Sequence, residues 1–318
     1  MRVLGIGKET SFKSGAVPDL WLDLIGHSVS VRRENLFFET ACQRVPIDML
    51  GGPYVVEGDI DLILTPSAAA RLLYLAMGAL EKTGVDDEAN PVAYCHFIRV
   101  GDQLPTAEFD LICDGQKLTV TGAVVRRLEL SFVARELVGA TVGILGAHAE
   151  VSSESATQPP FERPFFPSTI KVKRNGEEIQ AQVQAVRITL ENSVADDAHV
   201  LGSLELPKMF TQGVEVTGEI EWQFSDWSEY QRFLGSTTPI EEVPSVNYQI
   251  EVKGDETGSS VYPNYDMILD FPNSFITESD VHFTRRERVV QRIAFKALLY
   301  RDWGIPMKAM VCNTRSEP

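Results

Sequence analysis

A chain of 318 residues with 45 acidic and 29 basic side chains, a formal charge of −16, has room for two ordinary domains and repels phosphate over its surface as a whole. That balance excludes a stable nucleic-acid binder, while 44% hydrophobic and 23% charged residues exclude a disordered chain. No stretch approaches the ~20 apolar residues of a membrane span, so no membrane association is expected.

Residues 1–22 are punctuated by Gly and Pro and end in Leu20, Trp21 and Leu22, expected to dock on the first domain. The apolar run after Met1 is too short for a signal peptide. Four cysteines without CxxC spacing, Cys42, Cys95, Cys113 and Cys312, are expected as buried or free thiols of a reducing compartment. The chain therefore reads as soluble and made in a cytoplasm. Residues 29–33 alternate apolar and polar, the period of a half-buried strand.

Residues 34–55 read as a long loop carrying Leu36, Phe37 and Phe38. Connections of that length inside a domain are usually functional or poorly ordered. The apolar groups predict either packing back on their own domain or contact with a partner. Residues 55–64 then alternate again, with Glu57, Asp59 and Asp61 on one face and Val56, Ile60, Leu62 and Leu64 on the other. Thr65, Pro66 and Ser67 cap a predicted helix over residues 68–77. A strand at 94–100, a hairpin turning at Asp114-Gly115 and two further strands between 124 and 144 complete the first half. Residues 152–168, rich in Ser, Gln, Pro and Phe, read as a linker.

The second half opens on a hairpin around Asn175-Gly176, for which the first half offers no evident twin. It then repeats what came before. Gly58 recurs as Gly218, 160 residues on (218 − 58), and the triplet Asp59-Ile60-Asp61 recurs as Glu219-Ile220-Glu221. Glu34-Asn35 matches Glu191-Asn192, and Phe109 to Asp114 matches Tyr265 to Asp270, in the same order. Weaker matches pair Val100-Gly101 with Val252 to Gly254 and Leu137-Val138 with Val289-Val290. Glu215, Glu219 and Glu221 share one strand face, and a helix capped by Ser225-Asp226 runs over 227–234 to Gly235. The long loop returns over 192–213 with Leu204, Leu206, Met209 and Phe210, and Phe271-Pro272-Asn273 replaces the Asp-Gly turn. Collinear matches at nearly constant spacing predict a tandem duplication. The bland alternative is that strand patterns resemble one another by chance. The fold class expected is mainly β: two tandem sandwich or part-barrel domains, each with one flanking α-helix, over residues 1–151 and 170–318 with a linker at 152–169.

No catalytic motif or metal-ligand spacing is present in the sequence. His27, His96, His148, His199 and His282 are scattered, and Cys95-His96, adjacent on a strand, face opposite ways. His96 reads as structural. Asp59 and Asp61 would stand about 7 Å apart on one strand face, within the separation used by glycosidases. A catalytic pair, however, needs two different environments, whereas here a row of three acids is copied twice. The row therefore reads either as a solvated strand face or as an acidic wall facing something that must not stick. No catalytic residue, metal or cofactor is expected.

The opening Gly5-Ile6-Gly7-Lys8-Glu9-Thr10, then residues 28–35, then Gly52 through the key strand and helix, resemble the tail tube proteins of long-tailed bacteriophages, in their duplicated two-domain form. The resemblance implies a β-sandwich with a flanking helix, whose subunits join sheets edge to edge around a hollow tube in the virion tail. It implies no enzymatic activity. It implies self-association, with the tape measure, tail terminator and baseplate or tail-tip proteins as partners, and DNA only in passage. Single-domain tube proteins close as hexamers, so two domains per chain predict a trimer of sixfold outline. Glu57, Asp59, Asp61, Glu215, Glu219 and Glu221 would then face the lumen, and Leu36, Phe37, Phe38, Leu204, Leu206, Met209 and Phe210 would make ring-to-ring contacts. The rival expectation is a β-sandwich that binds carbohydrate or a tail or baseplate component without polymerising.

Overall fold

Residues 2–154, 156, 158–179, 182–224, 226–236, 238, 241, 243–282 and 289–318 are described by a computed structural model. The first half forms β1 (Arg2–Lys8), β2 (Leu20–His27), β3 (Ser30–Phe38), β4 (Asp48–Ile63), α1 (Pro66–Met77), β5 (Gly78–Val85), β6 (Tyr94–Val100), β7 (Ala107–Cys113), β8 (Gln116–Val133), β9 (Gly139–Gly146) and β10 (His148–Ser153). The second forms β11 (Ile170–Arg174), β12 (Glu177–Glu178), β13 (Val183–Val194), β14 (Thr211–Gln223), α2 (Ser228–Leu234), β15 (Val246–Glu256), β16 (Asn264–His282), β17 (Val290–Ala297) and β18 (Lys308–Asn313). The fold is mainly β, with two helices among the described residues.

Period-two patterning decides which side of each strand is buried. In β4, Val56, Ile60 and Leu62 are at most 2% exposed, while Asp59 and Asp61 stand outside. In β14, Val216, Ile220 and Trp222 are buried in the same way. Between α1 and the strands, the apolar faces of both halves join one hydrophobic cluster that includes Leu72, Leu75, Ile98, Leu128, Leu190 and Phe271.

All strand pairings among the described residues are antiparallel. One sheet runs β2/β3–β4–β9–β8–β13–β14–β17–β16, crossing from the first half to the second where β8 meets β13. Behind it lie two smaller layers. The first is β2–β1–β7–β8–β10; the second is β12–β11–β15–β16–β18–β6–β5. β8 and β16 are long enough to serve both layers, pairing through their first halves behind and their second halves in front.

The pairings of the first half recur in the second: β1–β7–β8–β10 as β11–β15–β16–β18, and β3–β4–β9–β8 as β13–β14–β17–β16. Two β-bulges recur with them. The irregularity between Leu24 and Gly26 against β4 returns between Val183 and Ala185 against β14. The one between Val125 and Arg127 against β9 returns between Ile276 and Glu278 against β17. Bulges are positional devices that similar strand sequences do not share by accident.

Several expectations need correction. β11 has a twin, β1: β1 pairs with β7 and β11 with β15, and each of those strands lies beside the long strand, β8 or β16, that serves both layers. The match of Phe109 with Tyr265 is not topological: β7 corresponds to β15, and Tyr265 lies in β16, the counterpart of β8. Likewise the strand at 94–100, β6, has no counterpart among the described residues of the second half; with β5 it forms a hairpin paired with β18. Residues 271–273 continue β16, and the turn lies instead between β15 and β16. Most of residues 34–55 is β-ribbon, with β3 pairing β4 from Ser30–Glu57 to Phe38–Asp48.

Turn and cap chemistry otherwise holds. Asp114 and Gly115 (φ 52° and 83°) and Asn175 and Gly176 (φ 50° and 83°) adopt the left-handed conformations that such turns require. Thr65 caps α1 by accepting from Ala68 N at 3.4 Å, and Gly78 closes it with φ 94°. α2 ends on Gly235, as expected, and Asp226 accepts from Ser228 N at 2.8 Å; Ser225 lies outside the described residues. Within residues 158–166, an otherwise exposed or half-buried stretch, two side chains are tied to the body. Phe165 is fully buried, and Glu162 accepts from Ser67 N at 3.1 Å and Ser67 Oγ at 2.9 Å, at the first turn of α1.

Candidate assembly surfaces

The front sheet brings the two acid rows onto one face. Between β4 and β14 it inserts β9, β8 and β13, whose outward residues include Arg127, Glu129, Arg187 and Glu191. Glu57 lies 3.2 Å from Arg32 and 3.5 Å from Arg126. Arg187 bridges Glu129 at 3.0 Å and Glu219 at 3.3 Å. Arg292 also pairs with Glu219, and this hydrogen bond holds the guanidinium above its ordinary value; Lys296 meets Glu215 at 2.9 Å. Asp61 accepts from Thr141 at 2.7 Å. Among the described residues Asp59, Asp61, Glu191 and Glu221 form no salt bridge. The face is thus an acidic surface threaded by a ladder of arginines, an interleaving that the sequence reading of two isolated acid rows missed. Glu57, Glu219 and Glu221 are half-buried, while Asp59, Asp61 and Glu215 are exposed.

The face is hollowed at the midline. A groove of about 670 Å³ is lined by Ser30, Glu57 and Asp59 from one half, by Arg126 and Arg127 of β8, and by Glu191 and Glu215 from the other half.

The second surface is the ribbon of β3 and the start of β4. Every β3 residue is exposed, and Leu36, Phe37 and Phe38 are 57%, 58% and 56% exposed. Val45, Ile47, Met49 and Leu50 extend the apolar strip along the ribbon. A two-stranded ribbon with no layer behind it is marginal in water, and contiguous exposed apolar strips of this kind are uncommon on free soluble proteins. The fold-back alternative is not what these side chains do.

Its counterpart in the second half does fold back. Leu204 O accepts from Tyr54 N at 2.9 Å. Leu206 is fully buried in a small cluster with Val55, Val124, Leu145 and Ala147, so it is removed from any outer contact. Met209 packs against this cluster, while Leu204 and Phe210 remain exposed. Between them Glu205 takes hydrogen bonds from Lys13, from Tyr54 Oη at 2.9 Å and from His148 Nδ1 at 2.8 Å. Burial alone would raise the Glu205 carboxyl; the hydrogen bonds from Lys13, Tyr54 and His148 and the Lys13 charge bring it down to about 2. Burial and the same carboxylate push the Tyr54 phenol up to about 12. Loop spacing alone could not have revealed this clamp, because its four members come from four distant segments.

His96 is fully buried between Thr83 Oγ1 (3.2 Å), Asn313 Oδ1 (3.2 Å) and Arg315 O (3.0 Å), and burial lowers its pKa. Cys95 and Cys312, expected as thiols, stand directly opposite in the β6–β18 register and form a disulfide, with Cα atoms 4.0 Å apart; Cys42 and Cys113 are free. Their separation of 217 residues hid the pairing. Among the described residues no group of His, Cys, Asp and Glu is placed to hold a metal. A family model described as phage tail tube protein matches residues 2–284. No curated protein matches the chain.

Proposed function

The chain belongs to the phage tail tube protein family, structural components of the virion tail that assemble with themselves into a tube, and from that premise we infer that three copies close into one ring of the tube. The observation that carries this reading is the β8–β13 junction, where two repeats of one unit already share a sheet edge to edge inside a single chain. The units are residues 1–151 and 170–318, with 152–169 as the connecting strap. Each presents an outer strand with no strand neighbour among the described residues, a liability in a free protein that ring closure removes. Three chains of two units reproduce a sixfold outline with threefold symmetry.

The front sheet forms the lumen wall. Its hollowed surface carries Asp59, Asp61 and Glu221 without salt-bridge partners, so DNA phosphates are repelled and the duplex slides during ejection. The arginines between the acid rows are held in ion pairs, which limits their use as phosphate anchors. The apolar ribbon of β3 and β4 reaches the neighbouring ring, joined by Leu204, Met209 and Phe210. Tape measure protein occupies the tube during assembly in the host cytoplasm, and tail terminator and baseplate or tail-tip proteins close its ends.

Negative-stain microscopy of the purified protein tests this reading. Hollow rods or rings with threefold symmetry are expected; persistent monomers at high concentration would overturn it, as would sixfold rings built from six chains.

A further inference from the structure

The two open edges of the front sheet have a template inside the chain, and from it we infer the register in which one copy joins the next. The inference rests on the ring reading and adds the strands, the pairing and the residues that meet. Outward of β17, the second half of β16 has no strand neighbour among the described residues, and β3 has none outward of β4. Their counterparts in the other repeat, β8 and β13, are joined: Arg127 stands opposite Glu191, Leu128 opposite Leu190, Glu129 opposite Thr189 and Leu130 opposite Ile188.

The shared pairings convert one junction into the other. Ile60 and Ile220 occupy the same place in β4 and β14. Ile60 faces Val142, which faces Leu128; Ile220 faces Ile293, which faces Ser279. Leu128 thus corresponds to Ser279, a shift of 151 (279 − 128). On the other side Ile60 faces His27 and Ile220 faces Val186, a shift of 159 (186 − 27). Applied together, the shifts set Glu278 of one copy opposite Arg32 of the next, Ser279 opposite Val31, Asp280 opposite Ser30 and Val281 opposite Val29.

Three observations support this register. Arg127 and Glu191, opposite in register and in sign though not salt-bridged, become Glu278 and Arg32 with the signs exchanged. The edges are also opposite in charge, with Arg32 and Arg33 on β3 against Glu278 and Asp280 on β16, so unlike edges attract and like edges repel. Such an interface is head-to-tail and generates rings. Finally, one inward apolar position on each open edge is poorly covered, while Val29, at 7% exposed, is already buried. Leu190 is 2% exposed but its counterpart Val31 is 50% exposed, and Leu130 is buried where Val281 is half-buried. A neighbouring strand with its helix supplies the missing cover. In the template Asn192 donates to Ala76 O, at the end of α1, at 2.9 Å. Its counterpart is the exposed Arg33, whose cation suits the C-terminal end of the neighbour's α2.

The test uses the full chain with Cys42→Ser, Ser30→Cys and Asp280→Cys, oxidised after assembly, imaged, and run on a non-reducing gel. Covalent trimers and their breakdown products are expected. The slipped pair Ser30→Cys with Glu278→Cys, diagonal neighbours about 7–8 Å apart, should cross-link at least ~tenfold less because disulfides need Cα atoms within about 7 Å. Separately, Arg32→Glu and Glu278→Arg should each abolish rings and the double variant should restore them. Rings that form normally yet cross-link through the slipped pair, or through neither, overturn the register while leaving the tube reading intact. Absence of rings from the parent protein overturns both.

Discussion

The glycine that recurs as Gly58 and Gly218 shows how one residue serves the same topology for two local reasons. A Cβ on Gly218 would sit 2.1 Å from the Phe295 ring, its direct cross-strand partner, and one on Gly58 would meet Val29 backbone at 2.5 Å with φ at 153°. Gly218→Ala should therefore destabilise the protein by about 1–3 kcal/mol, the usual cost of overpacking a filled site, read as a lowered midpoint in urea; an unchanged midpoint would mean the ring moves freely. Glu205 contributes a pH dependence of its own. Its carboxyl ionises at about 2 in the folded chain against an ordinary 4.5, so its contribution is complete above about pH 4.5 and is lost as pH falls towards 2. Protection factors over residues 195–210, taken against the intrinsic exchange rate at each pH, should fall between pH 4.5 and 3 in the parent and be low at both values in Glu205→Ala; equal protection in the two proteins would show that the clamp does not hold the segment.

At the scale of elements, the β3–β4 ribbon and the 195–210 segment occupy equivalent places and behave oppositely. The ribbon projects its apolar residues, while the segment buries Leu206 and is pinned at Glu205. Phe37→Asp should leave thermal unfolding of the free subunit nearly unchanged, within about 0.5 kcal/mol as for exposed sites, yet shorten or abolish tubes in electron micrographs. Normal tube lengths would remove the ribbon from the stacking interface. The helices were legible from their caps, Thr65 and Gly78 for α1 and Gly235 for α2, because capping is decided within a few residues. The ribbon was not, since the hydrogen bonds that make residues 34–38 and 48–55 strands come from each other rather than from any local preference. The β5–β6 hairpin escaped for the same reason: its support is β18, more than two hundred residues away in sequence.

For the whole molecule the decisive feature is a front sheet that continues through the β8–β13 junction and carries charge outward from end to end. Lys at Asp59, Asp61, Glu219 and Glu221 should leave tubes intact but hinder DNA passage, measured as reduced infectivity of particles assembled with the variant. Undiminished infectivity would argue that this face does not line the lumen. By itself the sequence determined the alternation of β4 and β14, the repeat that links them, the acid rows and the helix boundaries, all of which depend on residues close together along the chain. Only the tertiary structure decided which strands correspond, where arginines interrupt the acidic face, that Cys95 meets Cys312 and that Leu206 is buried. Each of those depends on distant segments coming together, and backbone hydrogen bonding between strands is indifferent to sequence until burial and charge select a register.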